Sequence, residues 1–413
     1  MKTLLIIGHT FPEPSTTAAG TRMMQLVDLF LKADYTITFA STALRSERAA
    51  DLDLFGIKSV GIQLNDPSFD RFITPLSPTV VVFDRYITEE QFGWRVAEAC
   101  PLALRILDTE DLHFLRKARQ TAYEEKIAVQ QAYLFTETAK RELASILRCD
   151  LSLIISEVEI SLLQSVFSIP KTLLYYLPFL IDPPSETRIK SLPRFADRKD
   201  FMTIGNLLHA PNKEAVKELK HTIWPKIRQR LPQTQIHVYG AYANPELQTF
   251  HNEREGFIIH GWAPSVEEVM HKARICLAPL YFGAGLKGKI VDAMQYGLPV
   301  VTTAIGAEGI YNEDRSPTNV QDSVDDFVAA SVELYTQENK WLELQQNGFH
   351  TIATRFRKED HSEKFTKRLR LLLQQLKEHR NKHFIGQILQ HHSLQSTKYL
   401  SKWIEVKNNL TGL

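Results

Sequence analysis

Tyr281 to Met294 reads YFGAGLKGKIVDAM and runs on into Gln295-Tyr296-Gly297-Leu298-Pro299-Val300-Val301-Thr302-Thr303. Three glycines, two lysines and one carboxylate stand between two apolar runs. The run before, Ile275 to Leu280, reads as a buried strand, and Pro299 to Thr302 reads as another. Between them Lys289 to Tyr296 has helical spacing, with Ile290, Val291, Ala293 and Met294 available for burial. The unit is therefore strand, glycine-rich loop, helix, strand. Gly283, Gly285 and Gly288 let the backbone turn sharply and come close to a ligand. The free N–H groups of the helix start point back at that loop, and such a terminus attracts phosphate. Lys287 and Lys289 add positive charge at the same spot. Asp292, about one turn in, is placed to accept hydrogen bonds from ribose hydroxyls. The plainer alternative is a flexible loop before a helix whose Asp merely suits the dipole.

The same alternation extends outward in both directions. Phe201 to Ile204, Ile236 to Tyr239 and Phe257 to His260 read as further strands of this domain. Upstream, Thr3 to Ile7 is a continuous apolar run ending at Gly8-His9, as in a fully buried strand of a parallel sheet. After the loop His9 to Gly20, Thr21 reads as the cap of a helix with Met23, Val27, Phe30 and Leu31 on one face. Tyr35 to Ala40, Ile57 to Leu64, Thr79 to Phe83, Leu104 to Leu107 and Leu151 to Ile155 continue the series. Strands alternating with helices predict an α/β chain with doubly wound, Rossmann-like domains. Ligands in such sheets bind beyond the carboxyl ends of the strands. That rule points to His9 to Gly20, Asp84-Arg85-Tyr86 and Asp108 to His113. Leu177 to Asp200 carries Pro178, Pro183, Pro184 and Pro193 and reads as a linker. The predicted organisation is a first domain over 1–178, a linker over 179–200, a second domain over 201–355 and helices over 356–413. In that last part Phe365, Leu369, Leu372, Leu373 and Leu376 form one apolar stripe. Phe384, Ile385, Ile388 and Leu389 form a second patch, and Tyr399, Leu400, Trp403 and Ile404 a third.

Composition narrows the function. The 413 residues carry a formal net charge of +1, so no global field argues for nucleic acid. Cys100, Cys149 and Cys276 fit no metal spacing and no disulfide framework, and they read as reduced thiols of a cytoplasmic protein. No stretch approaches the ~20 apolar residues that span a membrane. His391-His392 has no third ligand spaced for zinc, and no metal site is expected. His209 and His260 are candidates to line a cleft.

The glycine loop together with Asp292, Ala293, Met294, Gly297, Leu298, Pro299, Val300 and Val301 resembles the donor-binding segment of GT-B glycosyltransferases of the group 1 type, family 4 in the usual classification. Its form, Gly-Ala-Gly-x-Lys-Gly-Lys, is similar to a subgroup of that family. The resemblance implies two Rossmann-like domains facing across a cleft, with the terminal helices crossing back onto the first. It implies transfer of a hexose from a nucleotide-diphosphate sugar to a hydroxyl of a glycan or lipid-linked glycan, with retained configuration, in building a cell-surface glycan. No metal and no cofactor are required if lysines and backbone amides stabilise the leaving diphosphate. Gly283, Ala284, Gly285, Leu286, Gly288 and Asp292 would then bind the donor, with Lys287 and Lys289 as catalytic cations. His9 to Arg22, HTFPEPSTTAAGTR, resembles the loop that closes over donor phosphates, with Gly20 allowing close approach and Arg22 reaching a phosphate. Asp111 or His113, with Asp108 behind, are expected to touch donor sugar or acceptor. Trp262 is expected beside the nucleotide base.

The chain departs from the family pattern twice. The common Glu eight residues before the acidic residue is Ala284 here, and the usual Arg and Lys of the loop after the first strand fall on Asn206 and Pro211. These departures keep two alternatives open, a non-catalytic GT-B scaffold subunit and a GT-B sugar-nucleotide epimerase. The basic character of the C-terminal part, with Phe384, Tyr399 and Trp403, also raises contact with the inner membrane face.

Overall fold

The structure, a computed structural model, describes residues 2–129, 131–311 and 319–411. Its first sheet is built from β1 (Lys2–Gly8), β2 (Tyr35–Ser41), β3 (Lys58–Gly61), β4 (Val80–Asp84), β5 (Leu104–Asp108), β6 (Leu151–Ile154) and β7 (Leu174–Tyr176). The second is built from β8 (Lys199–Ile204), β9 (Ile236–Tyr239), β10 (Phe257–Gly261), β11 (Ala273–Ala278) and β12 (Val300–Thr302). The strand orders are β3-β2-β1-β4-β5-β6-β7 and β10-β9-β8-β11-β12, and the pairings are parallel. The central strands are buried on two faces, which is why β1 and β4 read as near-continuous apolar runs, whereas the edge strand β3 is largely exposed. In β1, Leu5 and Ile7 join one core cluster and Leu4 and Ile6 the other. In β11, Ile275 and Leu277 point one way and Cys276 and Ala278 the other. The three cysteines are buried and unpaired.

The strand order places the crevices. In the first sheet the chain reverses direction between β1 and β4, and in the second between β8 and β11. The loops after these strands diverge and leave room for a ligand. The two sheets face each other across that room, as the GT-B resemblance implies.

The chain crosses between domains twice, side by side. Ile181 N–H donates to Phe356 O at 2.8 Å, and Lys358 N–H donates to Ile181 O at 2.9 Å. The helix Lys358–Gln374 then buries Phe365, Leu369 and Leu372 in the first domain, where Phe365 meets Phe30 edge-on. Arg380 binds Asp150 and the carbonyls of Pro101 and Ala103, fixing the turn before a last helix, Phe384–Thr411. That helix packs on Arg85–Ala99 and Glu137–Arg148 of the first domain.

Local readings differ in two places. The first helix starts at Ala18, and its cap is Thr17, whose Oγ1 accepts from Gly20 N–H, not Thr21. β7 is only three residues long, too short to carry a periodic signal. Among the described residues no helix is long and apolar enough to cross a membrane.

Candidate active site in the interdomain cleft

The two domains enclose a cleft of about 540 Å³. Its first-domain wall comes from the ends of β1, β4 and β5: His9, Ser15 to Ala19, Arg85, Glu110, Asp111 and His113. Its second-domain wall comes from Gly205 to Asn212, Trp262 and the glycine loop Gly283 to Lys289 with Asp292. Four helices begin on it, at Ala18, His113, Ala210 and Gly288. Each carries a partial positive charge, although the first N–H groups of the His113 helix already donate to Glu142, His113 N–H and Phe114 N–H at 3.1 Å each. Convergence of these termini makes the cleft an anion site.

The glycine loop is shaped by the first domain as much as by its own. Gly283 and Gly285 have φ of +141° and +64°, a region that side chains rarely adopt. A Cβ on Gly285 would stand 2.9 Å from Asp111 Cβ, and one on Gly288 would stand 2.7 Å from Ala18 Cβ. Glu159, fully buried, accepts from Leu112 N–H at 3.0 Å and from Gly285 N–H at 2.9 Å, so one carboxylate ties both domains to the loop. Burial pushes Glu159 up to about 7. Arg119 donates to Gly283 O at 2.8 Å and grips Glu308 with both terminal nitrogens, at 2.9 and 2.6 Å. Tyr123 stacks on Tyr281 at 5.8 Å. Ala284 itself packs in the first domain's core cluster, where a Glu would be a buried charge. Gly285→Ala is therefore expected to cost the closed arrangement roughly 1–3 kcal/mol. A larger radius of gyration by small-angle scattering checks it.

The two lysines differ. Lys287 Nζ donates to Ala284 O at 3.2 Å and Gly285 O at 2.6 Å, so it braces the loop from within. Lys289 Nζ reaches across to Asn212 Oδ1 at 2.7 Å, against the loop that holds Asn206 and Pro211. Desolvation lowers its pKa to about 8, with Lys287 adding to the effect. An ammonium held this way gains when an anion arrives. Asn206 uses its side chain to accept from Leu208 N–H, and its carbonyl accepts from Asn212 Nδ2. Asp292 faces the cleft half-buried, and burial raises its pKa to about 7.

Across the cleft, Asp111 pairs with Arg116 and stands 3.5 Å from His113 Nε2. Burial pushes the Asp111 pKa up, but the Arg116 guanidinium, through its charge and its hydrogen bond, is the largest opposing influence and the pKa ends below the usual value. His113 is driven down to about 3 by burial, with Arg116 and Arg85 adding to it, so it is neutral at pH 7. His209, the cap of the helix Ala210–Glu218, falls to about 4, also by burial first. His260 instead stacks on Tyr239 and lies outside the cleft lining.

Three sequence expectations change. Arg22 reaches no phosphate site: it is buried, with Nη2 on Asp108 Oδ1 at 2.8 Å, Nε on the same carboxylate, and Nη1 on Leu177 O at 2.7 Å. Asp108 is spent on that pair. Gly20 lies off the main cleft, on a recess of about 260 Å³ that shares Thr17, Arg85 and Leu208 with it. Its missing side chain makes room for the Glu13 backbone. Trp262 keeps its place on the cleft wall, 39% exposed, and also clasps the first domain, donating from Nε1 to Ser15 O at 3.2 Å with Arg48 over its ring.

The sequence placed Arg85 and Glu110 in strand-end loops beside the ligand but gave neither a role of its own. Both have left-handed φ, +69° and +62°, at the ends of β4 and β5. Such strain costs about 1–3 kcal/mol per residue and is tolerated where it aims a side chain. Arg85 touches Asp84 only loosely, at 3.7 Å, and faces the cleft. Glu110 is pushed well up by burial beside Asp108 and Asp84.

Residues 198–337, the second domain, match the family Glycosyl transferases group 1. No curated protein matches the chain. Among solved structures, sucrose-phosphate synthase from Thermosynechococcus elongatus superposes with a TM-score of 0.65 at 13% identity, over 90% of this chain and 99% of that one. TarM of S. aureus, solved with UDP, gives 0.67 at 7% identity, over 89% and 99%. HepE of Anabaena, solved with UDP and glucose, gives 0.64 at 12% identity, over 90% and 100%. These likenesses are of fold, and the fold is GT-B.

Proposed function

We propose that this chain is a glycosyltransferase that moves a hexosyl group from a nucleoside-diphosphate sugar to a hydroxyl of a glycan or lipid-linked glycan. The observation that carries the reading is the cleft floor, where Lys289, Lys287 and the N-terminus of Gly288–Gln295 meet opposite Asp111 and His113. In the transfer, the bond from the anomeric carbon to the diphosphate oxygen breaks and a bond to the acceptor oxygen forms. Charge grows on the diphosphate, and fixed cations and amides aimed there stabilise it without a metal ion. Asp111 and neutral His113 provide an acceptor and a polar ring nitrogen for sugar hydroxyls. The group 1 match of the second domain and the UDP bound to TarM and HepE support the same reading, as do neighbours that build glycans. Retention of configuration and a role in cell-surface polysaccharide belong to this proposal.

Asp292 provides the binding test. Asp292→Ala is expected to weaken nucleoside-diphosphate binding by roughly 1.5–3 kcal/mol, the scale of a hydrogen bond to a charged group. Ribose hydroxyls favour the ionised carboxylate, so wild-type affinity rises as pH rises through about 7, and the variant loses that rise. Calorimetric titration with UDP at several pH values reads both effects. Activity itself is read as slow release of nucleoside diphosphate from sugar nucleotides without acceptor. Absence of both binding and release, with the fold intact, would instead favour a non-catalytic subunit.

A further inference from the structure

The last helix, Phe384–Thr411, holds eight of the 22 exposed large apolar side chains among the described residues. It is not a loose tail. Its inner face is anchored: Gln390 donates to Arg148 O at 3.1 Å, and Arg95 binds Ser401 at 3.2 Å and also Glu405. Gly386 lies so close to Leu147 O that no side chain fits there. With about 100° per residue, these anchors share one side of the helix. Ile385, Ile388, Tyr399, Trp403, Val406 and Leu410 fall on the opposite side, each between 45% and 82% exposed. Lys402 and Lys407 fall at the two edges of this stripe.

We propose that this outer face binds an anionic lipid surface, with the helix lying in the interface plane. Three observations select that occupant. The stripe combines Tyr and Trp, whose rings suit the headgroup level, with aliphatic side chains and bordering lysines. Residues 377–413 carry six Lys or Arg and two Glu. Glu378 pairs with Lys382 and Glu405 with Arg95, while Arg380 and Lys398 pair with Asp150 and Glu98 of the first domain, so the charge at the stripe itself is that of Lys402 and Lys407. Two copies joined through this face would bring Lys402 and Lys407 of each against the same lysines of the other, whereas anionic headgroups complement them. The anchoring also means that the face is preformed and need not be ordered on binding. This inference is independent of the reaction in the cleft.

The test is flotation of the full chain with vesicles of equal parts phosphatidylglycerol and phosphatidylcholine, against vesicles of phosphatidylcholine alone. The wild type should float with the anionic vesicles, less so at high salt. The Tyr399→Ser/Trp403→Ser variant should lose about tenfold or more of its vesicle-bound fraction, because two aromatic anchors leave the interface. Its nucleotide binding in solution should stay unchanged. Equal flotation of the two proteins, or no flotation of either, overturns the proposal. So does a concentration-dependent dimer in light scattering that the variant abolishes, which would give the face to a second copy.

Discussion

Replacing Lys289 by methionine lowers turnover about 100- to 1,000-fold, the loss seen when one preorganised group that stabilises transition-state charge is removed. The donor Michaelis constant should move less, since charge that appears only as the diphosphate leaves is felt in turnover before it is felt in binding. The structure explains why this lysine rather than its neighbour carries the effect. Lys287 spends its protons on two carbonyls of the glycine loop, while Lys289 has one neutral partner, Asn212, and stands beside the helix start. Its pKa, lowered to about 8 by desolvation, adds a pH arm. A cation with a lowered pKa is present below that value and lost above it, so wild-type turnover should fall as pH rises beyond about 8 at low donor concentration. Bound diphosphate favours the charged form and should move the fall to higher pH. Lys289→Arg, which stays charged, should flatten this limb even if its shape costs activity. Steady-state kinetics across pH reads all of this. Near-normal turnover in both Lys289→Met and Lys287→Met would place the stabilising charge on Arg85, the first-domain cation that faces the same cleft.

The sequence carried the layers of the fold because buried parallel strands are simply apolar runs. β1, β4 and β11 needed no partner to be seen, and the glycine loop showed itself by three glycines and two lysines in seven residues. The docking stripe Phe365, Leu369 and Leu372 was visible for the same reason: periodicity is local. What escaped was pairing. Glu159 meets Gly285 across 126 residues, and Arg119 meets Glu308 across 189. Nothing in either local window marks such a residue as a clasp, because the juxtaposition arises only when two domains close. Ala284 illustrates the same point. By resemblance it stands where a carboxylate is usual, and in the fold it is a small apolar residue on the cleft wall that also packs against the first domain's core. Arg22 is the sharpest case, since its position after a glycine-containing loop suits a phosphate ligand and its actual partner, Asp108, is 86 residues away.

Arg22→Met is expected to destabilise the protein by about 3–5 kcal/mol, a large part of the ~5–15 kcal/mol that holds a typical domain folded. Arg22 and Asp108 are both essentially inaccessible, and the guanidinium also serves the carbonyls of Leu177 and Pro178, where the chain starts its crossing to the second domain. Removing it leaves a buried carboxylate and two carbonyls without their donor. Asp108 is already pushed up by burial, with Arg22 the main opposing influence, so the variant's Asp108 should take up a proton on folding. The sign of the pH effect follows. A carboxyl whose folded pKa lies above its unfolded value, about 3.9, binds more protons in the native state, so folding weakens as pH rises between the two. The variant's deficit should therefore shrink on mild acidification, relative to wild type, and be largest at neutral pH. Arg22→Met/Asp108→Asn removes the stranded charge and should recover much of the loss with little added pH dependence, the outcome typical of replacing a buried ion pair by neutral groups. Urea unfolding of the three proteins at neutral and mildly acidic pH measures these differences. A phosphate-binding role predicts the opposite pattern: unfolding unchanged in Arg22→Met, nucleotide binding weakened, and no rescue from the Asp108 substitution.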